Sequence, residues 1–166
     1  MGQLVVGISD LKVALPPDTL ITYALGSCVG ICILDPVKHV AGLSHIMLPL
    51  ASVAPNDRNV MKFADSAIPD LIKKMEARGA QRARMKAKIA GGAQMFEATA
   101  APTTAGNQGV WQIGQRNVDA VIQTLGKLRI PIVAKDVLKN YGRTVSFDPN
   151  TGIMVVRALN KQILEL

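Results

Sequence analysis

The chain has 166 residues, 49% of them hydrophobic, and a formal net charge of +7. This length suits a single domain spanning residues 1–166 with a core of its own. No apolar run approaches the roughly 20 residues of a membrane-spanning helix, and no secretory signal opens the chain, so we expect no membrane insertion. Two cysteines do not make a disulfide framework, which favours a reduced, cytoplasmic protein.

The positive charge indicates an anionic partner, and nucleic acid, a membrane surface and an acidic protein are the general classes. Aromatic side chains are scarce, with three Phe, two Tyr and one Trp. They supply little surface on which bases stack, which weakens the case for nucleic acid. We therefore expect no nucleic-acid partner.

Strands are predicted for most of the first 48 residues. Residues 4–14 and 18–25 have the apolar and β-branched composition of strands and are separated by the Pro16-Pro17 break. A hairpin follows, because two apolar arms flank Asp35-Pro36, a turn signal with proline at its favoured second position.

This hairpin is predicted to place a thiol beside an imidazole. If the turn is centred between Pro36 and Val37, Cys28 in the first arm faces His45 in the second. Directly opposed residues have Cβ atoms about 4.5–5.5 Å apart on one face of the sheet. At this separation a histidine can deprotonate a cysteine and make it a nucleophile. A register slip of one residue would break the pairing.

The rest of the chain combines helices and strands. Residues 59–78 and 117–128 carry apolar residues at helical spacing. Pro69 interrupts the first pattern, so that helix is kinked there or begins near Ser66. Residues 82–89 alternate strictly between basic and apolar side chains, which predicts a half-buried strand ending at Gly91-Gly92. Strands are also predicted at 130–137, 143–148 and 152–158, which makes this an α+β domain.

Each candidate residue also has an ordinary structural interpretation. Free cysteines are among the most buried residues, and without His45 this would be the better interpretation of Cys28. Cys32 is interpreted as a core residue, since the predicted pairing places it opposite Ala41 with no titratable partner. The two cysteines lie four strand positions apart, about 13 Å, which is too far to share one zinc ion. We expect neither a metal nor another cofactor.

The alternating segment predicts a stripe of four cations on one strand face, namely Arg82, Arg84, Lys86 and Lys88. Such a stripe is usually a solvated face, and its functional alternative is docking against an acidic surface. His39, at the rim of the predicted turn, is expected to be solvated.

Thr22 lies six positions before Cys28, on a separate predicted strand. A threonine in a strand normally reflects β-propensity alone. Its functional alternative is to accept a hydrogen bond from the imidazole and fix its tautomer, as the third group beside a nucleophile and a base does. Spacing alone does not choose between the two.

Several short motifs occur in a recognisable order along the chain. They are Thr22-x5-Cys28 within Leu-Gly-Ser-Cys-Val, His45 within Gly-Leu-Ser-His-Ile-Met-Leu-Pro, Gly91-Gly92-Ala-Gln-Met95, Ile113-Gly-Gln-Arg-Asn-Val118, and Gly142-Arg143 followed by Phe147-Asp148 and Gly152. Together they span nearly the whole chain, and in this order they resemble the chemoreceptor glutamine deamidase family, CheD.

The resemblance implies a three-layer α/β/β fold shared with bacterial toxin deamidases. It implies a Cys–His–Thr triad, which maps onto Cys28, His45 and Thr22. The implied substrates are glutamines in the cytoplasmic helices of chemotaxis receptors, and the implied partner is a CheC-type phosphatase. Backbone groups beside the nucleophile, at Gly26 and Ser27, are the candidates for substrate or oxyanion binding. The choice of deamidation over proteolysis or transglutamination rests on the resemblance alone.

One departure bears on function. Where the family often has Asp-x-Gly-Gly, this chain reads Asp136-Val-Leu138-Lys139, which would alter the rim of the site if those glycines allow a close backbone approach to substrate. Three classes of function therefore stay open: a protein-glutamine deamidase, a regulator that binds the phosphatase with catalysis secondary or lost, and an unrelated basic domain for nucleic acid.

Overall fold

The computed structural model describes residues 2–94, 112–159 and 162–166. Met95, in one of the motifs above, lies outside these ranges. The described residues form ten strands and two α-helices. The strands are β1 (Gln3–Val6), β2 (Asp10–Ala14), β3 (Thr19–Leu25), β4 (Val29–Asp35), β5 (Val40–Ile46), β6 (Lys86–Gly91), β7 (Ile132–Val137), β8 (Arg143–Phe147), β9 (Met154–Ala158) and β10 (Ile163–Glu165). The helices are α1 (Ala64–Glu76) and α2 (Ile113–Lys127).

The strands form two five-stranded sheets. The central sheet has the order β2-β5-β4-β6-β7, and the outer sheet has the order β1-β3-β8-β9-β10. Both helices contribute to the apolar core on one face of the central sheet. The outer sheet packs on its other face. The described residues therefore have the α+β, three-layer α/β/β architecture that the resemblance implied.

The central sheet is buried on both faces, which explains why β4 and β5 are apolar almost throughout. Ile31 and Ile33 belong to the core beneath the helices, whereas Cys32 between them belongs to the core between the sheets. This division follows from the period of two in a strand. Cys32 is fully buried, which confirms its interpretation as a core residue.

The predicted register of the hairpin is wrong by two residues. Its last pair is Asp35 with Val40, and His45 faces Gly30 instead of Cys28. The turn is four residues long, because the Asp35 side chain accepts hydrogen bonds from the backbone N–H groups of Val37 and Lys38. His39 closes the turn in the left-handed conformation, with φ +53°, as four-residue loops built on a type I turn allow.

Other predicted elements are confirmed with shifted bounds. The helix expected from residue 59 begins at Ala64, so Pro69 lies inside α1. The helix expected from residue 117 begins four residues earlier, at Ile113. The strands predicted at 18–25, 130–137, 143–148 and 152–158 correspond to β3, β7, β8 and β9. β10 was not predicted.

The strand predicted over residues 4–14 is two strands in different sheets. β1 pairs with β3 in the outer sheet, and β2 pairs with β5 in the central sheet. A turn between them contains Ser9 at φ +60°, a conformation that ends regular strand geometry.

The predicted basic stripe is also wrong. Residues 82–84 form a 3₁₀ turn, and the strand begins only at Lys86. Arg84 pairs with buried Asp35. The Lys88 ammonium donates to the backbone carbonyls of Gly152 and Leu166. These cations have separate structural partners, so they do not line one solvated face.

Candidate active site

His45 lies on β5 with its side chain between the two sheets. It is fully buried, and its Nδ1 is 2.7 Å from the Thr22 hydroxyl oxygen on β3. Since β3 belongs to the outer sheet and β5 to the central sheet, the contact forms only when the two sheets pack. The structure thus brings together two of the three residues that the resemblance assigned to the triad.

The Thr22 hydroxyl determines which imidazole nitrogen carries the proton. Its oxygen is also 2.7 Å from the Val6 carbonyl oxygen on β1, and two oxygens this close need a proton between them. A hydroxyl has one proton to donate, so the threonine donates it to Val6. The proton in the contact with His45 must then come from Nδ1, which leaves Nε2 with a free lone pair.

The imidazole that carries this lone pair lies on the same face of the central sheet as the Cys28 side chain. Gly30, directly opposite His45 on β4, has no side chain, so the nearest side chains on that face from this side of His45 are the diagonal neighbours Cys28 and Cys32. Diagonal neighbours are about 7–8 Å apart at Cα, within reach of a long side chain. Nε2 is buried and has no hydrogen-bond partner in the described part of the chain. Cys28 is half-buried and Cys32 fully buried, so Cys28 is the thiol open to a substrate.

Burial keeps both groups neutral at rest. It raises the pKa of the Cys28 thiol, although a backbone hydrogen bond at the same residue lowers it in part. Burial lowers the pKa of His45 to about 4. At neutral pH the imidazole is therefore unprotonated and the thiol unionised, so catalysis by this pair would require the thiol proton to pass to Nε2.

The loop that carries Cys28 is held by the end of β6. The Gly92 N–H donates to the Cys28 carbonyl, and the Ala93 N–H donates to the Gly26 carbonyl, both at 2.8 Å. A Cβ at Gly91 would lie 2.3 Å from the Cys28 carbonyl oxygen, and its φ is +113°. Only glycine allows this approach, so the Gly91-Gly92 pair anchors the loop that carries Cys28 as well as ending a strand.

Comparison with known proteins identifies the family of this chain. The family model described as CheD chemotactic sensory transduction matches residues 47–158. A probable chemoreceptor glutamine deamidase CheD of Lachnoclostridium phytofermentans is 43% identical, over 97% of each chain. The chemoreceptor glutamine deamidase CheD of Halalkalibacterium halodurans is 46% identical, over 94% of this chain and 93% of the relative. This chain belongs to the CheD family.

The CheD motif at residues 113–118 contains a site residue whose role the sequence analysis did not identify. Asn117 is fully buried on α2, and its amide nitrogen donates to the carbonyls of Ser27 at 2.9 Å and Met47 at 3.1 Å. The sequence does contain a signal for this role, because Asn117 is a polar residue on the apolar face of a predicted helix.

The departure from the CheD glycine pair has a backbone explanation. Leu138 and Lys139 have φ +66° and +63°, the left-handed region that favours glycine. The Leu138 N–H donates to the Gly91 carbonyl, and the Lys139 carbonyl accepts from the Gln94 N–H. Leu138 and Lys139 therefore adopt the backbone conformation that glycine would adopt, and because they carry side chains that conformation is strained.

Buried polar contacts hold the loop of Leu138 and Lys139 against the end of β6. Arg143 is fully buried, pairs with Asp136 at 2.9 Å and donates to the Leu138 carbonyl at 3.1 Å. Tyr141 donates to the same aspartate and stacks on the guanidinium, with 4.3 Å from its ring centre to Cζ. These contacts give Arg143 a structural role.

A cleft of about 380 Å³ adjoins the loop that carries Cys28. Its lining residues are Gly92, Gln94, Gln112, Gln115, Leu138 and Lys139. Most of these groups can hydrogen-bond to a polypeptide. No cluster of three or more candidate metal ligands occurs in residues 2–94, 112–159 and 162–166. Neither α-helix in these ranges has the length and apolar content that a membrane crossing requires.

Proposed function

We propose that the chain is a protein-glutamine deamidase of chemoreceptors, with Cys28 as nucleophile, His45 as base and Thr22 as orienting group. The observation that carries the proposal is the Thr22–His45 hydrogen bond. Because the threonine proton goes to Val6, this bond leaves Nε2 unprotonated on the face that Cys28 shares. The printed names of its CheD relatives supply the substrate class and the reaction.

The first half of the reaction forms a thioester. His45 Nε2 takes the Cys28 proton, and sulfur attacks the carboxamide carbon of the glutamine side chain as the carbonyl electrons move to oxygen. The tetrahedral intermediate then collapses and its C–N bond breaks. The imidazolium returns its proton to the departing nitrogen, so ammonia leaves.

The second half hydrolyses the thioester. Water gives a proton to the imidazole and attacks the thioester carbon, the C–S bond breaks, and sulfur regains the proton. The product is glutamate and the free thiol. The Gly26 N–H donates to the Ala24 carbonyl at 3.1 Å, so the Ser27 N–H is the one proposed to bind the developing oxyanion. One such donor contributes about 3–4 kcal/mol in other enzymes.

The proposed substrate is a glutamine in the cytoplasmic helices of a chemotaxis receptor. We place the polypeptide around it in the cleft between Gln94 and Lys139, next to the nucleophile loop. A substrate on the cytoplasmic side of the membrane requires a cytoplasmic enzyme. A CheC-type phosphatase is proposed as a further partner on the family resemblance.

Catalysis is favoured over a purely regulatory role. The regulatory alternative rests on Leu138 and Lys139 replacing a glycine pair. Both residues adopt the left-handed backbone that glycine would adopt, so the substitution keeps the path of the loop. The nucleophile, the base and the orienting group are all present.

The experiment is deamidation of a receptor cytoplasmic fragment, with target peptides analysed by mass spectrometry and released ammonia measured. We expect wild-type protein to convert glutamine to glutamate and Cys28→Ala to show no conversion, with a loss of stability within about 1 kcal/mol. Cys32→Ala is the matched control, because it removes the fully buried thiol and should retain activity. Conversion by Cys28→Ala at the wild-type rate would exclude the proposed mechanism.

A further inference from the structure

Asn117 is a buried polar residue that stability alone does not explain. Both neighbours of its amide nitrogen are carbonyl oxygens, so the NH₂ group must face them and the amide orientation is determined. Its Oδ1 is buried without a hydrogen-bond partner among the described residues. Such an unpaired acceptor destabilises the folded protein, because its hydrogen bond to water is lost and not replaced.

The two carbonyls that Asn117 binds lie where the sheet ladder has ended. The pairing of β4 with β5 closes at Val29 and Ile46. Ser27 precedes Val29 by two residues and Met47 directly follows Ile46, so both lie beyond the last pair of the ladder. The Asn117 amide spans the gap and acts as a side-chain rung between them.

These two chain segments carry the proposed nucleophile and base. Ser27 immediately precedes Cys28, and Met47 follows His45 by two residues. Gly92 and Ala93, which follow β6, hydrogen-bond to the segment that contains Cys28 and not to the segment that contains His45. Asn117 alone among these contacts joins both segments, so beyond the end of the β4–β5 ladder it restrains how far apart they lie.

We infer that Asn117 is a positioning residue that holds Cys28 in register with the His45 Nε2 lone pair. This inference rests on the proposed roles of Cys28 and His45, and it makes α2 part of the active site. A displacement of about 1 Å between reacting groups can slow a reaction roughly a hundredfold. Without the amide, proton transfer from Cys28 to His45 should slow accordingly.

The test measures the rate at which iodoacetamide alkylates Cys28, followed by mass spectrometry of the Cys28 peptide. This readout needs no receptor, so a failure of deamidation and a failure of the present inference are distinguishable. We expect Asn117→Ala to slow alkylation at pH 7 by roughly ten- to a hundredfold. Its rate should then rise steadily with pH, as for a thiol without a base, while the wild-type rate stays nearly flat.

Val121→Ala is the matched control for destabilisation. Val121 is fully buried on the same helix, in the core beneath the central sheet, and no hydrogen bond joins it to Ser27 or Met47. It should lower the unfolding temperature while leaving the alkylation rate of the folded protein unchanged. Asn117→Leu is a second variant, which fills the space and removes the unpaired oxygen if Asn117→Ala folds poorly.

A double-mutant cycle with His45→Ala completes the test. If Asn117 acts through the pairing of Cys28 with His45, Asn117→Ala should cause no further slowing in the His45→Ala background. Wild-type alkylation by folded Asn117→Ala or Asn117→Leu would overturn the inference. Losses that multiply independently in the double variant would overturn it as well.

Discussion

At the scale of single residues, one hydroxyl proton organises the site. Thr22 is 2.7 Å from both the Val6 carbonyl and His45 Nδ1, and its proton goes to the carbonyl. The His45 imidazole is thereby held in one tautomer. Such an arrangement needs no charged third group, unlike a triad that contains aspartate.

The pH dependence of the reaction should report the buried imidazole. A general base must be unprotonated, and burial lowers the pKa of His45 to about 4. Activity should therefore be insensitive to histidine protonation between pH 6 and 8 and fall about tenfold per pH unit below pH 4. Initial rates of ammonia release, taken where circular dichroism shows folded protein, measure this. A loss of half the activity near pH 6.5 would contradict it.

Two substitutions separate the hydrogen-bonding role of the Thr22 hydroxyl from the space that its side chain fills. Thr22→Val keeps the shape but removes the acceptor, so the preferred tautomer is lost and kcat should fall at least about tenfold. Thr22→Ser keeps the hydroxyl and should retain most of the activity. Steady-state deamidation rates of the two variants provide the comparison. Equal kcat values for both would show that the hydroxyl has no orienting role.

At the scale of elements, the loop between β7 and β8 combines strain with firm anchoring. Leu138 and Lys139 occupy the left-handed region, and buried Arg143 with Asp136 holds the loop in place. Strained backbone persists where its surroundings determine it strongly. Leu138 and Lys139 also line the cleft next to the loop that carries Cys28.

Relief of that strain should stabilise the protein. Lys139 is exposed, with 62% of its side chain accessible, so Lys139→Gly removes little packing and permits the left-handed φ. Lys139→Ala removes the same side chain but keeps the strain, which makes it the matched control. We expect the glycine variant to be about 1 kcal/mol more stable than the alanine variant in urea unfolding. Equal stabilities would show that the loop carries no strain at residue 139.

At the scale of the whole molecule, Asp35 connects distant parts of the central layer. It is fully buried and binds the Arg84 guanidinium at 2.7 Å and the Gln81 N–H at 2.9 Å, besides its own turn. Burial raises the pKa of Asp35, but the hydrogen bonds from Arg84 and three backbone groups outweigh it, so the pKa lies well below the ordinary carboxyl range.

Acid should remove this contribution to stability. A lowered folded-state pKa stabilises the protein above the unfolded-state pKa of 3.8, and that stabilisation is lost as pH falls below it. Asp35→Asn should therefore lower the unfolding temperature at pH 7 and converge with the wild type in acid. Asp70→Asn, which removes an exposed ion pair with Lys74, should have little effect. A difference between Asp35→Asn and wild type that is constant from pH 7 to pH 3 would contradict this.

Local patterns in the sequence were sufficient for most elements, and they pointed to Cys28 and His45, although through a hairpin register that was wrong by two residues. Apolar and β-branched composition indicated most strands, and apolar spacing indicated α1 and α2. These patterns are readable because each depends on residues a few positions apart. The motif resemblance supplied Thr22 and the substrate class, which spacing did not.

Only the tertiary structure decided how these elements meet. The hairpin register depends on a turn stabilised by the Asp35 side chain. The Thr22–His45 contact depends on the packing of two sheets, and the Asn117 rung depends on α2 docking across the end of β4 and β5. In the last two cases the contacts join residues 23 to 90 positions apart. Such contacts leave no period in the sequence, because their geometry exists only after the layers have packed.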